Sequence, residues 1–218
     1  MAAQGSRIKR GLTIAGLLAV IICCWLWIYF TQFATPAFNQ PLHQAVGQVM
    51  AEETVKLLDQ KGKIIVLAVN PREFPELKAQ LTSFTAVLKK APAVTIKEQC
   101  LLKADDPKYG VGRGLSAKRL IQVMSKYRDA DAVVSFIGTP NLTDQDLTQL
   151  AQAHPKFIAE VRSTERTLKL LDSGVLQLVV VPRFAFPPPG PKHPHSPREW
   201  FNRYFQVLTP ATGRRGDE

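Results

Sequence analysis

The sequence predicts one α/β domain, built on a five-stranded and mainly parallel sheet, that follows a single apolar segment near the N-terminus. Short apolar runs such as residues 63–69 and 175–181 alternate regularly with amphipathic stretches. Apart from Lys63 and Gln177, these two runs are apolar, which is typical of strands covered on both faces. Strands that alternate with helices form right-handed crossovers, and therefore a parallel sheet with helices on both of its faces.

Residues 12–30 form the apolar segment, LTIAGLLAVIICCWLWIYF, and carry no charge. At about 1.5 Å per residue, a helix of this length spans roughly 28 Å, close to the hydrocarbon thickness of a bilayer. The basic residues Arg7, Lys9 and Arg10 precede it, so the positive-inside rule places residues 1–11 in the cytoplasm. We therefore expect a single-pass anchor in the inner membrane of a bacterium, with the lipid bilayer as a partner and the C-terminal domain in the periplasm.

A cleaved signal peptide and a lipoprotein anchor are the alternatives for this segment. Thr35-Pro36-Ala37 is a poor small-x-small cleavage site, and the apolar run is long for a signal peptide. Ile22, rather than a small residue, precedes Cys23, which argues against lipidation. A retained anchor is the interpretation that these residues favour.

A polar linker at residues 31–41 connects the anchor to the domain, which is predicted at residues 42–182. A leading amphipathic helix is expected over residues 42–61, with Gly62 as its C-terminal stop. The predicted strands are 63–69, 93–101, 132–137, 156–161 and 175–181, and the helices between them begin at Pro75, at the cap Ser116, at a capping box of Thr143 and Asp146, and at Glu165.

The C-terminal segment, residues 183–218, differs in composition from the domain. Its first half is rich in proline and is expected to be extended chain. Residues 198–208 predict a short helix that carries four aromatic side chains. Aromatic residues in a tail often anchor a partner protein, and packing against the chain's own domain is an equally consistent interpretation. The four candidate partner-binding residues are Trp200, Phe201, Tyr204 and Phe205.

A ligand site is expected where the strand order of a parallel sheet reverses, beyond the carboxyl ends of the strands. In a flavodoxin-like order, this crevice lies between the first and third strands, beside the loops at residues 70–73 and 138–141. Arginine, asparagine and glutamate side chains there can hydrogen-bond a polyol, although exposed loops of any α/β domain carry such residues. The candidate ligand-binding residues are Asn70, Arg72, Glu73, Glu98, Gly138, Thr139, Asn141 and Arg162.

Charge and motif content exclude several functional classes. The formal net charge of +10 is spread along the chain without a dense basic run interleaved with aromatics, so we expect no nucleic-acid partner. A phospho-receiver needs an acceptor aspartate at the position where this chain has Gly138. A flavodoxin needs a glycine- and hydroxyl-rich phosphate loop after the first strand, where this chain has PREF at residues 71–74. Cys100 lies alone outside the apolar segment, and no Cys/His spacing suits zinc. We expect no catalytic residue, no metal and no cofactor.

Residues 112–184 resemble the C-terminal lobe of type I periplasmic sugar-binding proteins and the related repressor effector domains. The resemblance rests on GRGLSAKRLIQVMSKYRDADAVVSFIGTP, KFIAEV and LKLLDSGVLQLVVVPRF. It implies a lobe that binds a small polar ligand. Proteins of that family close two lobes around the ligand, whereas this chain has room for one. The leading helix, the tail or a second copy of the chain are the candidates to cover the open face.

These observations predict a membrane-tethered, non-enzymatic binding or sensing module. The expected partner is a small polar ligand or an envelope protein, and a homodimer is a further alternative. Two other functions stay open: an envelope assembly or scaffold protein that docks a partner through its tail, and an enzyme that uses the crevice. A charged pair converging between the two crevice loops would favour the enzyme. An aromatic tail projecting into solvent would favour the assembly protein.

Overall fold

The computed structural model describes residues 16–29, 38–102, 115–151, 155–161, 165–184, 188, 190–191 and 194–213. The chain divides into two compact units between Phe38 and Asn39. In the first unit, helix α1 covers residues 16–28 and exposes its large apolar side chains. Within the described ranges, no helix is both long enough and apolar enough to cross a membrane. Residues 12–15 and 30 of the predicted anchor lie outside the described residues.

The second unit is built on a six-stranded sheet in the order β2-β1-β3-β4-β5-β6. The five predicted strands are present and parallel, whereas β6, which comes from the C-terminal segment, pairs antiparallel with β5. The expected count of five strands was therefore too low by one. The strands are β1 Gly62–Ala68, β2 Val94–Leu101, β3 Ala132–Ser135, β4 Lys156–Glu160, β5 Leu176–Pro182 and β6 Phe205–Leu208.

Helices cover both faces of this sheet, as predicted. The side chains of α2, α3 and α7 pack in one buried cluster, and those of α4, α5 and α6 pack in a second cluster on the opposite face. The helices of this unit are α2 Gln40–Leu57, α3 Pro75–Leu88, α4 Ala117–Lys126, α5 Asp144–Ala151, α6 Glu165–Asp172, α7 Pro197–Tyr204 and α8 Pro210–Gly213.

Both predicted helix caps are confirmed. The Ser116 hydroxyl accepts a hydrogen bond from the Arg119 backbone N–H at 3.3 Å. The Asp146 backbone N–H donates to the Thr143 hydroxyl at 3.2 Å, and the Thr143 backbone N–H donates to the Asp146 carboxylate at 2.9 Å. These bonds satisfy backbone donors that the first turn of a helix leaves without a partner.

The leading helix α2 ends at Leu57, four residues earlier than predicted, and Gly62 is not its stop. Gly62 is instead the first residue of β1. The chain reverses at Asp59 and Gln60, whose φ angles of 50° and 63° lie in the left-handed region. Aspartate tolerates that region better than most residues, which is why a turn forms without glycine.

Helix α2 belongs to the core and is not a detached stalk. A side-chain carbon built on Gly47 would lie 2.0 Å from the Gln80 carbonyl oxygen, so glycine allows the backbones of α2 and α3 to approach closely. Arg198 of α7 pairs with Glu52 at 3.4 Å and with Glu53 at 3.1 Å. Burial raises the pKa of Glu53, but hydrogen bonds and charge from Lys56 and Arg198 outweigh it and leave that pKa lowered.

The aromatic tail packs against its own domain. The helix predicted over residues 198–208 ends at Tyr204, and the next four residues form β6. Residues 205–208 form a strand because β5 would otherwise present unpaired backbone groups at the sheet edge. Arg183 reinforces the return, because its backbone N–H donates to the Tyr204 carbonyl at 2.7 Å and its Nε donates to the Phe205 carbonyl at 3.0 Å.

Candidate functional site

The crevice lies at the carboxyl ends of β1 and β3, which are adjacent in the sheet. The chain leaves β1 for α3, which packs in the first core cluster, and leaves β3 for α5, which packs in the second. The two loops therefore turn toward opposite faces of the sheet at neighbouring strand ends. This is the strand-order reversal at which open α/β sheets place their ligands.

The loop after β1 is held in shape by Asn70. Its side-chain amide donates to the Glu73 carboxylate at 2.8 Å, and its side-chain oxygen accepts from the Arg72 backbone N–H at 3.2 Å. Such bonds from an asparagine to its own turn are typical of Asx turns. Asn70 therefore builds the loop, while the exposed Arg72 guanidinium makes no hydrogen bond or ion pair with any residue that the structure describes.

The loop after β3 is held by Ser135, which is fully buried. Its hydroxyl donates to the Gly138 carbonyl at 2.7 Å and accepts from the Ile137 backbone N–H at 3.4 Å. Gly138 has a φ of +86°, and the closest atom to a side-chain carbon built there is the Glu160 carbonyl oxygen at 3.8 Å. The loop thus reaches the end of β4. The hydroxyl of the half-buried Thr139 has no hydrogen-bond partner among the described residues.

Six of the eight predicted ligand residues lie on these two loops: Asn70, Arg72 and Glu73 on the first, and Gly138, Thr139 and Asn141 on the second. The guanidinium donors, the Thr139 hydroxyl and the second oxygen of Glu73 can hydrogen-bond a hydroxylated ligand. Between the described residues of the two loops, the structure contains no ion pair. In the same described part of the chain, no group of three His, Cys, Asp or Glu side chains is arranged to hold a metal ion.

Glu98 lies away from the crevice. It is in the middle of β2, in register with Ile65 of β1. The buried run of β1 continues for four more residues to Val69, so at about 3.3 Å per residue Glu98 lies roughly 13 Å from the crevice end of the sheet. Its carboxylate lies 3.8 Å from Lys126. A hydrogen bond from the Tyr127 hydroxyl is the main cause of its lowered pKa. The prediction placed Glu98 too close to the strand end, and Arg162 lies outside the described residues.

The four aromatic residues of the tail differ in exposure. Phe201 is only 1% exposed and belongs to the core, and Trp200 and Phe205 pack partly buried against it. Trp200 stacks on the half-buried Tyr204 with ring centroids 6.3 Å apart. Any partner that contacts this group therefore meets partly covered rings rather than a projecting tail.

A cavity of about 770 Å³ lies at the opposite end of the sheet, beside the amino ends of β1 to β4. Its lining includes Lys61, Lys63, Arg128, Asp131 and Lys156. The sequence did not predict this cavity, because the rule that locates ligand sites in parallel sheets concerns the carboxyl ends of the strands. Charged residues lie close to the start of three of these strands: Lys63 at β1, Asp131 at β3 and Lys156 at β4. This recurrence is the feature of the sequence that could have indicated the cavity.

Comparison with known proteins identifies the fold. No family model and no curated protein matches this chain. An arabinose-binding protein from Geobacillus stearothermophilus matches in structure with 15% identity and a TM-score of 0.51, over 79% of this chain and 62% of that one. A sugar-binding protein of a sugar ABC transporter from Bacillus halodurans matches with 14% identity and a TM-score of 0.53, over 79% and 64%. The chain thus spans less than two thirds of either protein, and the predicted resemblance to a lobe of a sugar-binding protein is confirmed at the level of the fold.

Proposed function

We propose that this domain is a binding module whose carboxyl-end crevice holds a small, hydroxyl-rich ligand such as a sugar or polyol. The observation that carries the proposal is the pair of Arg72 and Thr139. One comes from each loop of the crevice, and neither side chain has a hydrogen-bond partner among the described residues. A pair of polar groups on the two sides of a strand-order reversal suits a ligand that bridges the loops.

The charge of the crevice favours a neutral ligand. Arg72 is followed by Glu73, whose carboxylate accepts only the Asn70 amide among the described residues, so the loop carries one charge of each sign. A guanidinium fork and a carboxylate together can donate to and accept from neighbouring hydroxyl groups. The names of the two solved proteins of this fold, an arabinose-binding and a sugar-binding protein, support the same class of ligand.

A single lobe is expected to bind weakly. Small-molecule sites usually bury most of the ligand surface, whereas a crevice on one lobe leaves one side of the ligand in water. We propose that a second copy of the chain or an envelope protein covers that side. The half-buried rings of Trp200 and Tyr204 are the proposed contact for such a protein partner.

We further propose that residues 12–30 tether this module to the inner membrane of a bacterium, with the domain on the extracytoplasmic side. The support is the uncharged sequence and the basic residues before it. Extraction of membranes with alkaline carbonate tests the tether, and protease digestion of spheroplasts tests the orientation. Release of the chain by carbonate, or protection of the domain from protease, would contradict this part of the proposal.

Thermal unfolding of the full chain in detergent, screened against arabinose, glucose, galactose, xylitol and a set of amino acids and nucleotides, tests the ligand. A sugar present at about a hundred times its dissociation constant raises the free energy of unfolding by about 2.7 kcal/mol. The double variant Arg72→Ala, Thr139→Val is expected to lose that shift. Lys89→Ala, an exposed cation at the far end of α3, is the control and is expected to keep it. No shift with any sugar or polyol, or equal shifts in the double variant, would refute the proposed ligand class.

A further inference from the structure

The amino-end cavity has the size of a small-molecule site. Its volume of about 770 Å³ falls inside the usual range of roughly 300–1,000 Å³ for such sites. It is open to solvent and is formed by the turns that lead into β1, β2, β3 and β4. Strand β1 alone is seven residues long. At about 3.3 Å per residue, the cavity is roughly 20 Å from the crevice, so the two sites are separate.

The acids in this cavity are largely engaged. The Asp131 carboxylate accepts the Lys63 backbone N–H at 2.7 Å and so joins β1 to the turn before β3. The Asp129 carboxylate pairs with Lys97, and this hydrogen bond is the main cause of its lowered pKa. Of the three acids that line the cavity, Asp59 is the one for which no partner is found among the described residues.

The cations of the cavity are mostly unengaged. Four basic residues line it, and the side chains of Lys61, Lys63 and Arg128 make no hydrogen bond or ion pair within the described chain. The fourth, Lys156, donates to the Leu57 carbonyl at 2.8 Å at the end of α2. The three unengaged side chains therefore line one space without a direct ion pair, and the charge of Lys63 contributes to the lowered pKa of Asp129.

We propose that this amino-end cavity binds the phosphate group of a small phosphorylated ligand. A guanidinium fork matches the planar spacing of phosphate oxygens, and lysine ammonium groups add charge without fixed geometry. The lining carries four cations and three acids, a net charge of +1, so it favours an anion over the neutral sugar that the crevice is proposed to bind. The phosphate belongs either to a soluble metabolite or to a lipid headgroup, since both present the same oxygens.

Titration calorimetry on the full chain in detergent, at constant ionic strength, tests this site. The probes are inorganic phosphate, glucose 6-phosphate, unmodified glucose and the water-soluble dihexanoyl phosphatidic acid. The double variant Lys63→Gln, Arg128→Gln is expected to weaken binding of glucose 6-phosphate by about tenfold or more. The control Lys118→Gln, Arg119→Gln removes the same two residue types from the exposed first turn of α4, at the other end of the sheet, and is expected to change affinity by less than about twofold.

Binding of glucose 6-phosphate in preference to dihexanoyl phosphatidic acid assigns the phosphate to a soluble metabolite, and the reverse assigns it to a lipid headgroup. Either result with the expected loss in the double variant supports the site. No binding of any phosphate probe, or an equal loss in the control, overturns it. The variant Arg72→Ala, Thr139→Val is expected to leave phosphate binding intact, so failure of the crevice proposal and failure of this one are distinguishable.

Discussion

The two ends of the sheet are built from the same strands but have different chemistry. At the carboxyl end, the uncharged side chains of Asn70 and Ser135 hold the loops through hydrogen bonds, and the unpartnered side chains include the cation of Arg72 and the hydroxyl of Thr139. At the amino end, the charged side chain of Asp131 ties the turns together, and the unpartnered groups are mostly cations. One end therefore suits a neutral hydroxylated ligand and the other suits an anion.

The difference follows from parallel topology. In a parallel sheet, every strand starts at one end, so a charged residue at the start of several strands gathers into one patch. Lys63, Asp131 and Lys156 occupy such positions in this chain. The loops at the carboxyl end instead carry the polar turn residues that reverse the chain. A single lobe can thus offer two electrostatically distinct surfaces without a second domain.

The largest difference in unfolding free energy is expected between two glycine substitutions, Gly62→Ala at the amino end of the sheet and Gly138→Ala at the carboxyl end. Gly62 has a φ of +149°, and an added side-chain carbon would lie 3.0 Å from the Asp131 carboxylate. Gly62→Ala therefore combines backbone strain with crowding and is expected to cost about 2–4 kcal/mol. At Gly138, an added side-chain carbon makes only an ordinary van der Waals contact with the Glu160 carbonyl oxygen at 3.8 Å, so Gly138→Ala is expected to cost the backbone strain alone, about 1–2 kcal/mol. Chemical denaturation of the two variants measures both values.

A second variant separates the two causes at Gly62. In an Asp131→Gly background, the Cβ, Cγ and Oδ2 atoms that crowd Gly62 are all absent, and the φ strain stays. Gly62→Ala is then expected to cost about as much as Gly138→Ala does in the wild-type chain. An unchanged cost in that background would show that Asp131 does not crowd Gly62.

Removing the side chain that holds each end should give smaller effects. Ser135→Ala leaves the partly buried Gly138 carbonyl and Ile137 N–H without this partner, at about 1–2 kcal/mol. Asp131→Ala loses an exposed acceptor, at about 0.5–1 kcal/mol. Urea denaturation measures both, and Asp131→Asn, which keeps an acceptor oxygen, is the control. A larger loss for Asp131→Ala than for Ser135→Ala would reverse the expected order.

The smallest expected contrast is in the salt dependence of two aspartate pKa values. The Lys97 hydrogen bond lowers the pKa of Asp129 at the amino end, and the Thr143 backbone hydrogen bond lowers the pKa of Asp146 at the carboxyl end. Both carboxylates stabilise the fold above their unfolded pKa, and that contribution is lost as pH falls through the folded pKa. Because salt screens exposed ion pairs, NMR titration in 1 M NaCl is expected to raise the Asp129 pKa more than the Asp146 pKa. An equal rise of the two pKa values would contradict the attribution of the Asp129 shift to its ion pair with Lys97.

Local signals predicted most of the fold from the sequence. The caps at Ser116 and Thr143 depend on a few neighbouring residues, so they could be recognised without tertiary structure. The strands β1, β3, β4 and β5 were recognisable because their apolar runs are buried on both faces, whereas β2 is largely exposed. The strand β6 was not, because residues 205–208 become a strand only where the edge of β5 offers unpaired backbone groups.

The candidate site was predictable only in part. The two crevice loops follow from strand order, which the alternation of strands and helices indicated. The end of β2 at Leu101 was predicted correctly, but Glu98 precedes that end by three residues and lies in register with Ile65 in the middle of β1. The amino-end cavity depends on which strand starts are neighbours, and adjacent positions such as Lys63 and Asp131 are far apart in sequence.

Hydrogen exchange of the full chain, with and without the panel sugar that gives the largest thermal shift, tests the central claim most directly. The account predicts slower exchange in peptides that cover residues 69–75 and 136–143, and unchanged exchange in peptides that cover residues 58–63 and 127–131. Glucose 6-phosphate is expected to slow exchange also in the amino-end peptides, which cover residues 58–63 and 127–131. Protection by the neutral sugar at the amino end, with unchanged exchange in both crevice loops, would contradict the assignment of the crevice as the sugar site.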